Sequence, residues 1–111
     1  MNITFESHQA AIVFCITGDL TTDDADNFKR TVQEHLANTS RNIILDCSEL
    51  GLVDSVGLES LLWLSDELNR TGKKLRFATV PESVERIFEL TRLNRIFSNH
   101  ESVEQAARSF A

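Results

Sequence analysis

The chain has 111 residues, of which 41% are hydrophobic and 25% are charged, and this composition is typical of one folded domain rather than a fibre or a disordered tail. Seventeen acidic and eleven basic side chains give a net charge of −6, which disfavours nucleic acid and anionic lipid as partners. The longest apolar run is far too short to span a membrane, and no signal peptide is visible, so we expect a cytosolic protein. Cys15 and Cys47 stand in apolar segments and are expected to be buried thiols, not a disulfide or a metal pair.

The first third of the chain predicts two strands and a helix. Residues 3–5 predict a short strand, and the β-branched run over residues 10–17 predicts a strand that is buried on both faces. We expect this second strand to end at residues 18–19 (Gly-Asp). A hydroxyl and two carboxylates then mark a helix start, and apolar residues at helical spacing extend the helix over residues 23–37.

The middle of the chain predicts a strand, a loop and the strongest helix. Residues 42–47 read as a second buried strand and residues 48–53 as a loop. The helix that follows covers residues 57–70, and Gly72 is placed to close it in a left-handed conformation. Its apolar stripe consists of Leu58, Leu61, Leu62 and Leu68.

The last third predicts a strand over residues 74–79, and Pro81 suits the first turn of the helix after it. Residues 95–97 predict a short last strand. Ser98 and Glu101 have the spacing of a capping box for a final helix.

The alternation of strands and helices predicts the fold class. We expect one α/β domain over residues 1–111, because no linker, repeat or low-complexity segment divides the chain. Its sheet should be mixed and mostly parallel, with four or five strands. About four helices should pack mainly on one side of it.

Residues 52–58 (Leu-Val-Asp-Ser-Val-Gly-Leu) are the one segment whose residues are arranged for local chemistry. Asp54 and Ser55 are both well suited to cap a helix, and Gly57 permits close backbone approach. The periodicity alone favours a plain helix cap. A phosphate on Ser55 would nevertheless lie at a helix N-terminus, where free N–H groups and the helix dipole accept negative charge.

This motif and its surroundings resemble the STAS domain family, and within it the bacterial anti-sigma factor antagonists. The matching segments are residues 18–20, 43–46, 54–58, 72–75 and 84–88, with Leu93. The resemblance implies that Ser55 is phosphorylated by a partner kinase that is also the anti-sigma factor. Two positions depart from the family pattern. Val56 stands where many antagonists carry a second Ser or Thr, and Thr21 stands where the family often carries Asp.

The function that this resemblance implies is a protein-binding switch in bacterial transcription regulation. With Ser55 unphosphorylated, the domain binds an anti-sigma factor that has a kinase-like ATP-binding domain, and a sigma factor is freed; phosphorylation dissociates the complex. The expected partners are this anti-sigma factor and a phosphatase, and ATP belongs to the partner, so the chain itself needs no cofactor. The implied partner-binding residues are Asp54, Ser55, Val56, Gly57, Glu59, Trp63 and Thr21. The alternative is a non-switching STAS subunit of a membrane lipid-transport ATPase complex.

Trp63 lies off the leucine stripe and, at about 100° per residue, shares an outer face with Glu59 and Glu67. A Trp in this position fits two roles equally, packing on a neighbouring helix or contacting a partner.

The sequence disfavours an enzyme or a metal site. Ser55 lacks the flanking glycines of a nucleophile elbow, and no histidine is placed to act as its base. Asp46, at a strand end, has the position of a phospho-acceptor in a response-regulator receiver, but the Lys that such a fold needs is missing. No two of the three histidines have the spacing of metal ligands: His8, His35 and His100.

Overall fold

The computed structural model describes residues 1–110, which form five strands and four α-helices. The strands are β1 (Asn2–Ser7), β2 (Ile12–Leu20), β3 (Ile43–Val53), β4 (Leu75–Ala78) and β5 (Asn99–His100). The helices are α1 (Ala25–Leu36), α2 (Ser55–Arg70), α3 (Glu82–Leu90) and α4 (Val103–Arg108). One turn of 3-10 helix, Leu93–Arg95, lies between α3 and β5.

The five strands form a single sheet in which they lie in chain order. β1 runs antiparallel to β2, as expected for a hairpin. β2, β3, β4 and β5 are parallel to one another, with helices in the connections. The structure confirms the predicted α/β class and the mixed, mostly parallel sheet.

The two faces of the sheet carry cores of very different size. The larger core packs side chains of α1, α2 and α3, among them Phe28, Leu64 and Phe88, against one face. The smaller core packs Ala106 and Ala107 of the short helix α4 against the other. Three helices therefore cover one face and one helix covers part of the other, which confirms the expectation that helices pack mainly on one side.

The predicted loop over residues 48–53 is wrong, because these residues continue β3. β2 likewise runs past Gly18 to Leu20, and the two strands stay paired, with Gly18 opposite Leu50. Pairing between β2 and β3 provides hydrogen bonds for the backbone of this segment, although polar side chains interrupt its apolar run. The pairing contains two register shifts, which accommodate the irregular part of the two strands. Gly18 adopts a φ of +92° at this irregular point.

The predicted end of the chain needs two corrections. Residues 95–97 are not a strand. Arg95 ends the turn of 3-10 helix, and the buried Phe97 ring packs against Phe77, with the two ring centroids 4.7 Å apart. The last strand is β5, two residues later. The cap of α4 is Ser102, whose side chain accepts a hydrogen bond from the Gln105 N–H at 3.1 Å. Ser98 instead pairs its hydroxyl with the ring of His100.

The helix α2 agrees with its prediction in most respects. It begins at Ser55 and ends at Arg70, and Gly72 takes a φ of +76° just beyond it. The apolar stripe is displaced from the predicted one, since Leu64 is fully buried and Leu58 and Leu62 are only half-buried. The buried face of α2 consists of Gly57, Ser60, Leu61, Leu64, Ser65 and Leu68.

Candidate functional site

The side chain of Asp54 joins the start of α2 to the loop between β2 and α1. Its Oδ1 accepts a hydrogen bond from the Gly57 N–H at 2.8 Å, which is the N-cap of α2. Its Oδ2 accepts two more, from the N–H and the hydroxyl of Thr22, both at 2.8 Å. One carboxylate therefore positions two chain segments that are far apart in the sequence.

These hydrogen bonds hold Asp54 in its ionised form. The pKa of its carboxyl lies below the ordinary value, first because the Gly57 N–H donates to it and then because the Thr22 N–H does. The negative charge also lies at the positive end of the α2 dipole. The carboxylate beside Ser55 is thus charged and already engaged with the backbone.

Gly57 allows the first turn of α2 to lie against the end of β2. A Cβ at this position would overlap the carbonyl oxygen of Leu20 and would lie 2.9 Å from its carbonyl carbon. Gly57 is accordingly buried. It shapes the site through its missing side chain and offers no surface of its own to a partner.

Ser55 is the first residue of α2, and it is exposed. The Asp54 side chain is directed to Gly57 and Thr22, so it does not cover the Ser55 hydroxyl. Val56, the next residue, is half-buried. The structure therefore presents a hydroxyl to solvent at a helix N-terminus, where backbone N–H groups favour an anion.

Leu52 is an exposed apolar side chain two residues before Asp54. It is the penultimate residue of β3, and 72% of it is exposed. Its N–H donates to Asp19 Oδ1 at 2.8 Å, so the segment is held from β2. The sequence analysis included Leu52 in its candidate segment but gave neither residue a role, because the contact between them joins positions 33 residues apart.

Thr21 and Thr22 differ in what they contact. Thr21 bonds Asp24 Oδ2 through its N–H and its hydroxyl, at 3.3 and 3.1 Å. Thr22 is the residue that meets Asp54. The prediction placed Thr21 near the motif loop and did not single out its neighbour.

Glu59 and Trp63 lie further along the outer side of α2. Glu59 is exposed, one turn after Ser55. Trp63 is half-buried, and at 1.5 Å rise per residue it lies about 12 Å along the axis from Ser55. It packs against the larger core, and Lys29 Nζ of α1 lies 5.9 Å from its ring centroid. Trp63 thus packs beside α1 and keeps part of its surface exposed.

The thiols and histidines lie apart from this site. Cys47 is buried, and burial raises its pKa. Cys15 is half-buried, 3.6 Å from Asp46 Oδ2, and burial followed by the Asp46 charge raises its pKa. Both are free thiols. Within residues 1–110 no three acidic, histidine or cysteine side chains gather as metal ligands, and no helix is long and apolar enough to cross a membrane.

The comparisons with known proteins give one matching family model, a relative and several similar solved structures. The STAS domain model matches residues 2–106. BtrV of Bordetella bronchiseptica, named as a candidate anti-sigma factor antagonist, is 23% identical over 110 residues, covering 99% of this chain and 95% of the relative. A structure of a similarly named Thermotoga maritima protein has a TM-score of 0.89 at 20% identity, over 97% of this chain and 93% of its own.

The anti-sigma factor antagonist SpoIIAA has the same fold. Its unphosphorylated form matches with a TM-score of 0.71 at 14% identity, over 97% of this chain and 96% of its own. Its structure is also known in the phosphorylated form. At such identities these structures show the common fold, while the match of the family model over almost the whole length shows that this chain belongs to the STAS domain family.

Proposed function

We propose that the chain is an anti-sigma factor antagonist whose binding is controlled by phosphorylation of Ser55. The observation that carries the proposal is the exposed hydroxyl at the first position of α2, beside a carboxylate that is already engaged. The names of BtrV and SpoIIAA support the same role. Phosphorylated and unphosphorylated structures of SpoIIAA support a switch of this kind.

The position of Ser55 suits a phosphate within the folded domain. The residue is exposed, so the added group needs no space in the core. It would face the N-terminal end of a helix of 16 residues, where the dipole and the free N–H groups of the first turn favour negative charge. We therefore expect phosphorylation to leave the fold intact.

The same phosphate would act strongly on a bound partner. It adds about −1.5 to −2 charges at neutral pH. The surface around Ser55 already carries the exposed carboxylates of Asp19, Asp23 and Glu59, and the exposed side chain of Leu52. A partner that covers Leu52 must also remove water from the hydroxyl or phosphate on Ser55. An unpaired hydroxyl costs about 1–3 kcal/mol in such a contact, whereas an unpaired phosphate costs more, on the order of several kcal/mol, as other buried charges do.

The proposed partner is a cytoplasmic anti-sigma factor with a kinase-like ATP-binding domain. In this scheme the partner binds ATP and transfers its terminal phosphoryl group to the Ser55 oxygen, and ADP leaves. The chain itself acts by binding, catalyses no reaction and needs no cofactor. A phosphatase returns it to the binding form by hydrolysing the phosphoserine.

The test is phosphorylation by the partner kinase with ATP, followed by mass spectrometry. Trypsin releases residues 42–70 as one peptide, and fragmentation must separate Ser55 from Ser48, Ser60 and Ser65 in it. We expect one phosphate, on Ser55, and none in the Ser55→Ala variant. A phosphate on another residue would overturn the proposed switch. Copurification with a membrane ATPase subunit, and no kinase-fold partner, would favour a structural STAS subunit instead.

A further inference from the structure

We propose that the chain associates head to tail with a second copy of itself, through two oppositely charged ends of the domain. The acidic end is the surface around Ser55, and it consists of the exposed residues Asp19, Asp23, Leu52 and Glu59. The basic end consists of Lys73, Lys74, Arg92, Arg95 and Ile96. This association needs neither a kinase nor a phosphate, so it does not rest on the proposed function.

The two ends lie on opposite sides of the domain because β2 to β5 are parallel. β3 ends where α2 begins, so Ser55 lies at the C-terminal ends of the strands. The loops that lead into β4 and β5, residues 71–74 and 91–98, lie at the N-terminal ends. Ile96 joins the two loops, since it lines one groove with Lys74 and with Asn69 near the end of α2. One copy can therefore present its acidic end to the basic end of the next.

The charges are segregated between these ends. Residues 18–24 and 48–59 contain six carboxylates and no lysine or arginine. Residues 71–74 and 91–98 contain four lysines and arginines and no carboxylate, although the net charge of the chain is −6. None of these four basic side chains forms an ion pair within residues 1–110. The surface that complements the basic end in charge is thus present on every copy of the chain.

Arg92 is held in a backbone conformation that favours glycine. It follows α3 with a φ of +63°, and Gly72 has the same place after α2 with a φ of +76°. At both positions the N–H donates to the carbonyl three residues earlier, at 3.1 Å. Only Gly72 is the residue type that this conformation prefers. Lys73 shows that a cation one position later suits the helix dipole without strain, so the strain at Arg92 indicates a role for its side chain on the surface.

Each end also carries one exposed apolar side chain. Ile96 is 57% exposed at the basic end, and Leu52 is 72% exposed at the acidic end. Contact between the two ends would remove both from water while opposite charges meet around them. One apolar pair makes a small interface, so we expect a dissociation constant between about 10 μM and 1 mM. Because the two ends differ, every docked copy leaves one end of each kind free, and the assembly can grow.

The first test is sedimentation equilibrium of the purified chain. The average mass should rise above the 12.5 kDa of the monomer as the concentration increases, without stopping at a dimer. It should return towards the monomer as the salt concentration is raised from about 0.05 M to 0.5 M. A mass that stays at the monomer up to about 1 mM protein, or that stops at a dimer, would overturn the proposal.

The second test uses two charge reversals at exposed residues, Arg95→Glu at the basic end and Asp23→Lys at the acidic end. Each variant alone should remain a monomer, because one of its ends is disabled. An equimolar mixture should form a one-to-one dimer and no larger species, because the intact acidic end of Arg95→Glu meets the intact basic end of Asp23→Lys. A mixture that stays monomeric would show that these two ends do not pair.

The third test separates the strain at Arg92 from its charge. Arg92→Gly should raise the unfolding temperature by roughly 2–5 °C, because glycine accepts the left-handed conformation, and should weaken association roughly threefold to tenfold. The matched control is Arg30→Gln, which removes the same charge from an exposed position on α1, outside both ends. It should leave association unchanged. Equal losses of association in the two variants would trace the effect to net charge and would contradict docking at the basic end.

Discussion

Asp54 and Thr22 are joined by two hydrogen bonds of 2.8 Å, although 32 residues separate them in the sequence. The same carboxylate caps α2 through Gly57. The helix that begins with Ser55 is therefore attached both to its own backbone and to the loop that leads into α1. Any partner that contacts Ser55 also meets a surface whose shape this carboxylate maintains.

The Asp54 carboxylate should make stability depend on pH. Its pKa in the folded chain lies below the ordinary value of 3.8, so the unfolded chain binds its proton more readily. The contribution is fully present above that ordinary value and is lost as pH falls through the folded pKa. Asp54→Asn should therefore destabilise the domain near neutral pH and lose most of this effect at an acidic pH below the folded pKa of Asp54.

Urea unfolding at the two pH values measures this difference. The control is Asp23→Asn, at an exposed carboxylate in the same loop, and near neutral pH it should change the free energy of unfolding little. An Asp54→Asn effect of equal size at both pH values would show that the ionised form is not what stabilises the loop.

Gly57→Ala should destabilise the domain by roughly 1–3 kcal/mol or more, because the added methyl group collides with the Leu20 backbone. Gly51→Ala is the matched comparison. Its methyl group would meet the carboxylate end of Asp19, a flexible side chain that can turn away with the loss of one hydrogen bond, from the Leu52 N–H. Thermal unfolding of the two variants should show the larger loss for Gly57→Ala, and equal losses would contradict the close approach to β2.

Leu52→Ser should weaken binding of the proposed anti-sigma factor roughly tenfold or more while changing the free energy of unfolding by no more than about 0.5 kcal/mol. The side chain is 72% exposed, so the folded domain gains little from it. Leu90→Ser is the control, since Leu90 is 79% exposed at the end of α3. Titration calorimetry with both variants separates a specific contact of Leu52 from non-specific apolar binding. Equal losses of affinity in the two variants would show that Leu52 does not contact the partner.

Ser55→Ala should bind the partner constitutively, because it keeps a small neutral side chain and cannot accept a phosphate. Ser55→Asp should weaken binding roughly tenfold or more, although one carboxylate copies a phosphate imperfectly. Both variants should unfold at nearly the temperature of the original chain, since the side chain is exposed. If Ser55→Asp binds as tightly as the unmodified domain, charge at this position does not control the complex.

Trp63 provides an intrinsic probe, because the chain contains one tryptophan and no tyrosine. Its ring is half-buried beside Lys29. If the partner covers the outer side of α2 as far as Glu59 and beyond, the fluorescence of Trp63 should shift to shorter wavelength on binding. The Ser55→Asp variant, mixed with the partner at the same concentrations, should show a smaller change. No shift with a partner that demonstrably binds would confine the interface to the first turn of α2.

The elements that the sequence predicted well are those with strong local patterns. In β2 the run of β-branched residues, and in α1 and α2 the helical spacing of apolar residues, indicate directly which side chains are buried. Asp54 lies at the N-cap position that its side chain favours. The elements that the sequence predicted badly depend on pairing. The second half of β3 has exposed polar residues and is a strand only because β2 lies beside it.

The residues of the candidate site fall into the same two groups, those that local sequence identifies and those that only tertiary contacts identify. Ser55, Asp54 and Gly57 could be singled out from local chemistry, since a helix start selects short polar residues and a close approach selects glycine. Thr22 and Leu52 could not, because their roles rest on contacts between segments about 30 residues apart. Such contacts follow from the register of β2 and β3 and from the place where α2 meets Leu20. Only the folded chain brings those groups together, since the free energy that selects this register belongs to the whole core rather than to any segment of it.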